Sequence, residues 1–235
     1  MNTITFGSVN SEDYGIFVAG PGMYKKPKRK VEYIDIPGKN GGLEISEDAF
    51  EDFDMTFQAV IPNDFQTQFD DFAAAINAVT GFQILTEQLH PNSFWMASFS
   101  EVLEPKPTMH YDGATCNIIF RCHPQRYLNS GLAQYNFFVA GSIVNPTLYT
   151  ARPNIRVYGS GTVGIGSQTI TIASHSWPYI DIDCEAMDAR YEANNANNKV
   201  TVTGSDFPTF PPGNTGITLG GDVTRVQIQP RWWSI

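Results

Sequence analysis

Apolar and polar residues along this chain alternate mostly with a period of two. Val31 to Ile36 sets Val31, Tyr33 and Asp35 against Glu32, Ile34 and Ile36, and Pro37-Gly38-Lys39-Asn40-Gly41-Gly42 then supplies the positive-φ positions of a tight turn. Glu51 to Ile61 continues as a strand with Phe53, Met55 and Phe57 on one face, and Pro62 stops it. One segment follows a different period. Phe65, Phe69, Phe72, Ile76 and Val79 fall at helical spacing, with Asn63 placed to cap the start, Asp64, Asp70 and Asp71 early, and Gly81 positioned to end it. That stripe reads as a core-facing surface and not as the lining of a cofactor site. The strand pattern returns from Phe82 to Phe120, with Asn117-Ile118-Ile119-Phe120 strand-like and His123-Pro124 as a breaker.

Pro124, Asn129, Ser130 and Gly131 form a short polar stretch between two β-rich blocks, which places a domain boundary within 124–133 and predicts domains 1–130 and 131–235. The second block shows no helical period. Its alternating runs are Ile155–Tyr158, Gln168–Ile172, Tyr179–Asp183, Lys199–Thr203, Gly216–Leu219 and Thr224–Ile228, punctuated by Gly, Pro and Asn, which predicts an antiparallel β-sandwich. Asn194 to Asn198 reads as a solvated hairpin tip. The fold class is therefore mainly β with one helix.

Composition narrows the function. With 235 residues, 42% hydrophobic and 17% charged, the chain can bury substantial cores and is not disordered. The formal net charge of -9 argues against stable nucleic-acid binding, which needs clustered cations. Cys116, Cys122 and Cys184 are sparse and odd in number, which fits buried thiols in a reducing compartment better than a disulfide framework. The first residues lack the pattern of a secretory signal, and no run approaches the length of a membrane span, so a protein made in the cytoplasm with no membrane span is expected.

Gly159-Ser160-Gly161-Thr162-Val163-Gly164 spells the dinucleotide-binding G-x-G-x-x-G. That motif works by presenting a helix N-terminus to a pyrophosphate, whereas here a strand pattern follows, so a hairpin turn is expected instead. His110, Cys116, Cys122 and His123 include no close Cys-x-x-Cys pair, and along a strand the two thiols would stand roughly 20 Å apart, so zinc is not expected. Asp181, Asp183 and Glu185 alternate, with Asp188 following, which brings a glycosidase carboxylate pair into consideration, but nothing marks one of them for a raised pKa. No catalytic triad, nucleophile elbow or cofactor motif is present, and neither an enzyme nor a cofactor is expected. The basic run Lys25-Lys26-Pro27-Lys28-Arg29-Lys30 reads as a solvated strand edge, or as a contact for an acidic neighbour.

Taken in order, these pieces resemble the distal tail proteins of siphophages that infect Gram-positive bacteria and of related prophages. The likeness lies in Phe6-Gly7 with Ser11-Glu12-Asp13-Tyr14-Gly15-Ile16, in Ile36-Pro37-Gly38-Lys39-Asn40-Gly41, where the family commonly shows Pro-Gly-Arg-x-Gly, and in the junction Phe120 to Tyr127. It continues through Asn145-Pro146, Arg152-Pro153-Asn154-Ile155, Gly159-Ser160-Gly161, Ile180 to Asp183, Phe207-Pro208, Pro212-Gly213 and Arg231-Trp232-Trp233. Lys39 departs from the usual arginine, keeping the charge and losing its bidentate geometry.

The resemblance implies an amino-terminal domain that closes into a homo-hexameric ring and a carboxy-terminal galectin-like sandwich. It further implies a place at the distal end of a virion tail, with tail tube, tape measure and tail-associated hub proteins as partners, and receptor-binding proteins carried on the ring. A hexamer would carry six times the formal -9, and an acidic channel lets DNA pass without sticking. Candidate subunit-interface residues are Lys28, Arg29, Lys30, Pro37, Gly38, Lys39, Asn40 and Gly41, with Trp232 and Trp233. The two tryptophans close a β-rich block, so a docked strand is expected there, one ring filling the core and the other covering the ring domain or a neighbouring subunit. The rival reading is a host-glycan-binding module of the sandwich class, with Trp177, Tyr179, Trp232 and Trp233 as stacking faces.

Overall fold

The computed structural model describes every residue except Met1, Pro21, Met23, Tyr24, Met109, His110, Tyr111 and Ser205, and only the backbone of Asp48. The chain divides into two compact units, Met1–Arg126 together with Ile235, and Tyr127–Ser234. Among the described residues no helix is long and apolar enough to cross a membrane.

The first unit contains β1 (Ile4–Phe6), β2 (Val9–Asn10), β3 (Phe17–Val18), β4 (Arg29–Ile34), β5 (Leu43–Phe50), β6 (Phe53–Ile61), α1 (Phe65–Ala78), β7 (Gln83–Glu87), β8 (Ser93–Ser98), β9 (Lys106–Pro107) and β10 (Ala114–Leu128). Its main sheet runs β2-β1-β7-β8-β10-β6-β3, with β9 also paired to β10. The alternation along β6 and β10 sets their register. Met55, Phe57, Ala59 and Ile61 stand opposite Phe120, Ile118, Cys116 and Ala114, so one face of the pair is continuously apolar and buried. Phe120 is the hub of an aromatic cluster, 5.0 Å from Phe6, 6.0 Å from Phe57 and 5.7 Å from Phe99.

Helix α1 buries the stripe Phe65, Phe69, Phe72 and Ile76 against this core, with Tyr14 edge-on to Phe72 at 5.8 Å. Its ends differ from the reading of the sequence. Asp64, not Asn63, is the cap position; it takes φ 44 and makes no side-chain capping bond, and Asp70 and Asp71 lie beyond the first turn. The Phe65 amide, the first of the helix, donates to the Asp112 carbonyl at 3.3 Å, so a neighbouring loop satisfies one of the amides that the helix leaves without an internal partner. The helix ends at Ala78, and Val79 already has extended backbone, ahead of Gly81.

His123-Pro124 does not break the sheet, since β10 continues to Leu128. Pairing with β6 stops at Cys122 opposite Phe53, so the missing Pro124 N–H removes no bond on that side. The boundary between the units falls within β10. The polar stretch Asn129–Leu132 is a 3-10 turn of the second unit in which Gly131 is buried, and a Cβ there would lie 2.3 Å from the Trp232 nitrogen.

The second unit holds the end of β10 and β11 (Tyr135–Phe137), β12 (Gly141–Asn145), β13 (Asn154–Tyr158), β14 (Gly161–Ile165), β15 (Gln168–Ile172), β16 (Ile180–Asp183), β17 (Asp188–Tyr191), β18 (Asn194–Asn195), β19 (Val200–Val202), β20 (Gly213–Gly221), β21 (Arg225–Gln229) and β22 (Trp233–Ser234). A six-stranded sheet, β11-β21-β13-β16-β17-β18, and a five-stranded sheet, β12-β20-β14-β15-β19, are antiparallel throughout. Ile155, Val157, Ile180, Ile182, Val226 and Ile228 from one, and Val163, Ile165, Ile170, Ile172 and Ile217 from the other, form one buried core.

The glycine motif is structural, though it is not itself a hairpin turn. Gly159 and Ser160 carry the chain from β13 in one sheet to β14 in the other, and the hairpin joining β14 to β15 turns at Gly166. The four asparagines of the run are exposed at a hairpin, as expected of a solvated tip, and the tip is anchored from within. Ala196 is fully buried, and the Asn197 side chain accepts the Ala189 amide at 2.6 Å and donates to Asp188 at 2.8 Å.

Candidate functional site

The β4–β5 hairpin forms a two-stranded sheet of its own, paired among the described residues with none of the other three sheets. Opposed pairs are Val31 with Ser46, Glu32 with Ile45, Tyr33 with Glu44 and Ile34 with Leu43. Opposite residues of an antiparallel pair share a face, so Ile34, Leu43 and Ile45 make an apolar stripe on one side of the ribbon. They are 41%, 49% and 43% exposed and belong to neither core, while Tyr33 on the other face is 69% exposed. A lone two-stranded ribbon is marginal in water. One that shows a row of large apolar side chains has the character of a surface waiting for a partner.

The sequence-predicted residues lie at the two ends of this ribbon. At the tip, the Lys39 amide donates to the Ile36 carbonyl at 3.1 Å, closing a turn in which Pro37 presets φ and Gly38, at φ 79, supplies the positive angle. Gly41, at φ 83, does the same on the return, and Pro37 to Gly41 are all exposed. At the root, Lys28 reaches Glu51 at 3.9 Å on the surface, Arg29 lies 5.3 Å from the centre of the Phe50 ring, and exposed Lys30 sits at the irregularity where the register shifts. Arg29 and Lys30 thus open β4 directly after Lys28, with exposed Glu32 further along the same strand, whereas Glu44 and Glu47 are exposed on β5. The sequence reading had not singled out Ile34, Leu43 and Ile45 as a site, although the alternation of Leu43 and Ile45 with acids was the available signal.

Trp232 and Trp233 belong to the second unit. Trp232 is 1% exposed, packs edge-on to Phe210 at 5.6 Å, and its carbonyl accepts the Leu128 amide at 2.9 Å. Its ring is enclosed by the core of its own unit. Trp233 is half-buried, stacks on Tyr149 at 4.5 Å, and donates its indole N–H to the Thr150 carbonyl at 3.0 Å.

The alternating acids are consumed by arginines. Arg156 grips Asp181 with two bonds of 2.6 and 2.9 Å, and Arg231 grips Asp183 with two of 2.8 Å while also reaching Glu185 at 3.4 Å. Burial pushes the Asp183 carboxyl up, but the Arg231 bonds and charge together with the Ala186 and Glu185 amides outweigh it and hold the group below its ordinary value. A general acid needs the opposite.

Cys116 and Cys122 point from the same strand into the core, and burial raises their thiols to about 11 and about 12. The ring of His123 packs edge-on to Phe82 at 4.0 Å, and His110 lies outside the described residues. Among the described residues no group of three or more metal-ligating side chains gathers.

No family model matches the sequence. No curated protein matches it either. Solved structures do. The chain superposes on the SPP1 Dit protein, described as a paradigm of the hub adsorption apparatus in phages infecting Gram-positive hosts, with a TM-score of 0.69 and 13% identity, over 97% of this chain and 98% of that one. A chain of the activated phage P2 baseplate matches with a TM-score of 0.52 and 9% identity, over 97% of both. At these identities the likeness is one of fold, and it extends along essentially the whole chain, through both units.

Proposed function

We propose that this chain is a structural component of a phage virion, a distal tail protein at the end of the tail. The observation that carries the reading is the fold match to a phage hub protein over nearly the full length of both chains. In this reading the amino-terminal unit closes into a homo-hexameric ring continuous with the tail tube, and the carboxy-terminal unit is a galectin-like sandwich outside the ring. The ring joins the tail tube and tape measure protein to the tail-associated hub protein, carries receptor-binding proteins, and leaves a channel for DNA. The chain is made in the host cytoplasm, and it performs no catalysis.

The β4–β5 ribbon supports ring closure. Cations at the root of β4, with Lys28 just before it, and the acids of β5 give the ribbon complementary sides, so a ribbon can meet the next one head-to-tail, which is the contact that generates a ring. The stripe Ile34, Leu43 and Ile45 supplies the apolar area that such a contact buries.

The test is the mass of the full chain in solution by light scattering, with negative-stain images of the same sample. A six-fold ring for the native chain and monomers for a Leu43→Asp, Ile45→Asp variant with an unchanged circular dichroism spectrum support the proposal. A native chain that stays monomeric at high concentration, or a double variant that assembles normally, overturns it.

A further inference from the structure

One edge of the second unit carries no charge. From Tyr127 to Ala151, between Arg126 and Arg152, there is no Asp, Glu, Lys, Arg or His, in a chain that is 17% charged. This stretch forms β11 and β12, and each is the end strand of its sheet, β11 paired among the described residues only with β21 and β12 only with β20. Edge strands are ordinarily blunted by Lys, Pro or a bulge. Strand β12 has none of these and keeps one register over its five residues.

The hydrogen bonds of β20 determine which groups this edge offers. The Gly216 carbonyl accepts the Gly166 amide at 2.9 Å from the β14 side, so the flanking Thr215 and Ile217 turn their backbone groups to β12, where they stand opposite Ile143 and Gly141. Ser142 and Val144 therefore point N–H and C=O away from the sheet, and neither residue has a partner for them among the described residues.

Structured turns hold large apolar side chains in water at both ends of β12. Before it, Phe138 and Val139 are 65% and 74% exposed, and Gly141 leaves room for the Phe137 ring, from which a Cβ would be 2.9 Å away. After it, the buried Asn145 side chain donates to the Tyr149 and Phe210 carbonyls at 2.9 Å and accepts the Thr147 amide and hydroxyl at 2.9 and 2.8 Å, a network that fixes the turn on which Leu148 is 88% exposed. Val144, 60% exposed, lies between the two turns. The edge is thus held ready, not frayed.

We infer that β12 accepts an extended, uncharged segment of a different protein as an added strand. The open N–H and C=O groups of Ser142 and Val144 bond to a backbone that is itself extended, whereas a helix has already spent its own. Phe138 and Val139 at one end and Leu148 at the other cover apolar side chains of the added strand. An acid or base in that segment would lose its hydration against an edge with no counter-charge, so the segment is uncharged. A second copy offers the same neutral edge, and the choice of a different protein rests on the reading of the chain as a ring subunit: a two-fold β12 pair would join one ring to another, and in that reading the contact between copies is assigned to the ribbon.

The test selects a displayed library of random short peptides on the immobilised full chain and follows the selected peptides, once synthesised, by fluorescence polarisation and NMR hydrogen exchange. Uncharged peptides that slow exchange at Ser142 and Val144, with Ile143 and Asn145 already slow in the free chain, are expected. Ser142→Pro removes one open amide and no bond of the ladder, and should weaken binding about tenfold or more at unchanged circular dichroism. Val144→Lys should do the same, and replaces the proline variant where that one does not fold. Charged peptides, unaltered exchange at Ser142 and Val144, binding that the folded variant retains, or no selected peptide at all overturns the inference. A Leu43→Asp, Ile45→Asp variant that dimerises until Val144→Lys is added also overturns it, because the occupant is then a second copy. A native chain that stays monomeric yet binds such peptides at β12 supports it while overturning the ring.

Discussion

The Arg231 guanidinium closes on the Asp183 carboxylate with two hydrogen bonds of 2.8 Å, tying the segment before the chain end to the last residue of β16. Arg231 itself takes φ 57, and its amide donates to the Gly131 carbonyl at 2.9 Å, so this clasp fixes the approach of Trp232 to the core. Folding lowers the Asp183 pKa, because the Arg231 and backbone bonds outweigh burial. A depressed carboxylate contributes stability that is fully present above its unfolded value, near 3.8, and is lost as pH falls through the folded one. Asp183→Asn should therefore cost about 2 kcal/mol near neutral pH and show a shallower loss of stability toward acid than the native chain. Thermal melts across that pH range check this; parallel acid slopes would contradict it.

The three thiols are buried at 3%, 0% and 2% exposure for Cys116, Cys122 and Cys184. Burial raises Cys184 to about 12, with Asp183 adding to it, much as it raises the other two. Both access and thiolate fraction are then negligible at neutral pH. A disulfide-exchange reagent should leave the native chain unmodified over hours and titrate all three thiols once denaturant is added. Rapid labelling of any one in the native state would show that its strand opens locally.

Much of this was legible because alternation with one buried face is a strong constraint. The six alternating runs of the second block all became strands, since an inward isoleucine or valine at every second position leaves a single register that hides them. The helix was legible from Phe65 to Ile76 for the same reason at a different period. What escaped were places where long-range geometry overrides local signals: the Asp112 carbonyl that takes the first helical amide at Phe65, the Pro124 tolerated within β10, and Gly131, read as linker yet packed against the Trp232 backbone. The candidate interface residues of the ribbon were legible only as turn and charge. The exposed stripe Ile34, Leu43 and Ile45 becomes visible only when β4 and β5 are seen to pair with nothing else.

Gly159 and Gly161 spell part of a nucleotide fingerprint, and their roles here are steric. Gly161 has φ 137 and a Cβ there would fall 2.3 Å from the Gly220 carbonyl oxygen, while Gly216, in the same sheet, has nothing within 4 Å. Gly161→Ala should destabilise the second unit by about 1–3 kcal/mol or more, and Gly216→Ala should be neutral or mildly stabilising. Denaturant melts of the two variants distinguish the explanations. Equal effects would mean that the loss of glycine flexibility, and not the close approach, sets the cost.

Trp232 and Trp233 are adjacent and do different work. The Trp232 ring is enclosed among Phe210 and the core of the second unit, so Trp232→Ala leaves a cavity of aromatic size and should cost about 3–5 kcal/mol. Trp233 is only partly buried against that core and is held also by stacking on Tyr149 and by one bond to the Thr150 carbonyl, which sets the cost of Trp233→Phe, retaining the stack and losing that bond, at about 1 kcal/mol. Neither residue belongs to the β4–β5 ribbon, to which ring closure is assigned in the proposal, so the mass of both variants in solution should equal that of the native chain wherever they remain folded. Chemical denaturation gives the two stabilities, and light scattering gives the mass. A Trp233 variant of native stability that lost assembly would move this residue into the subunit interface; a Trp232 variant of native stability would mean that the core can close over the missing ring.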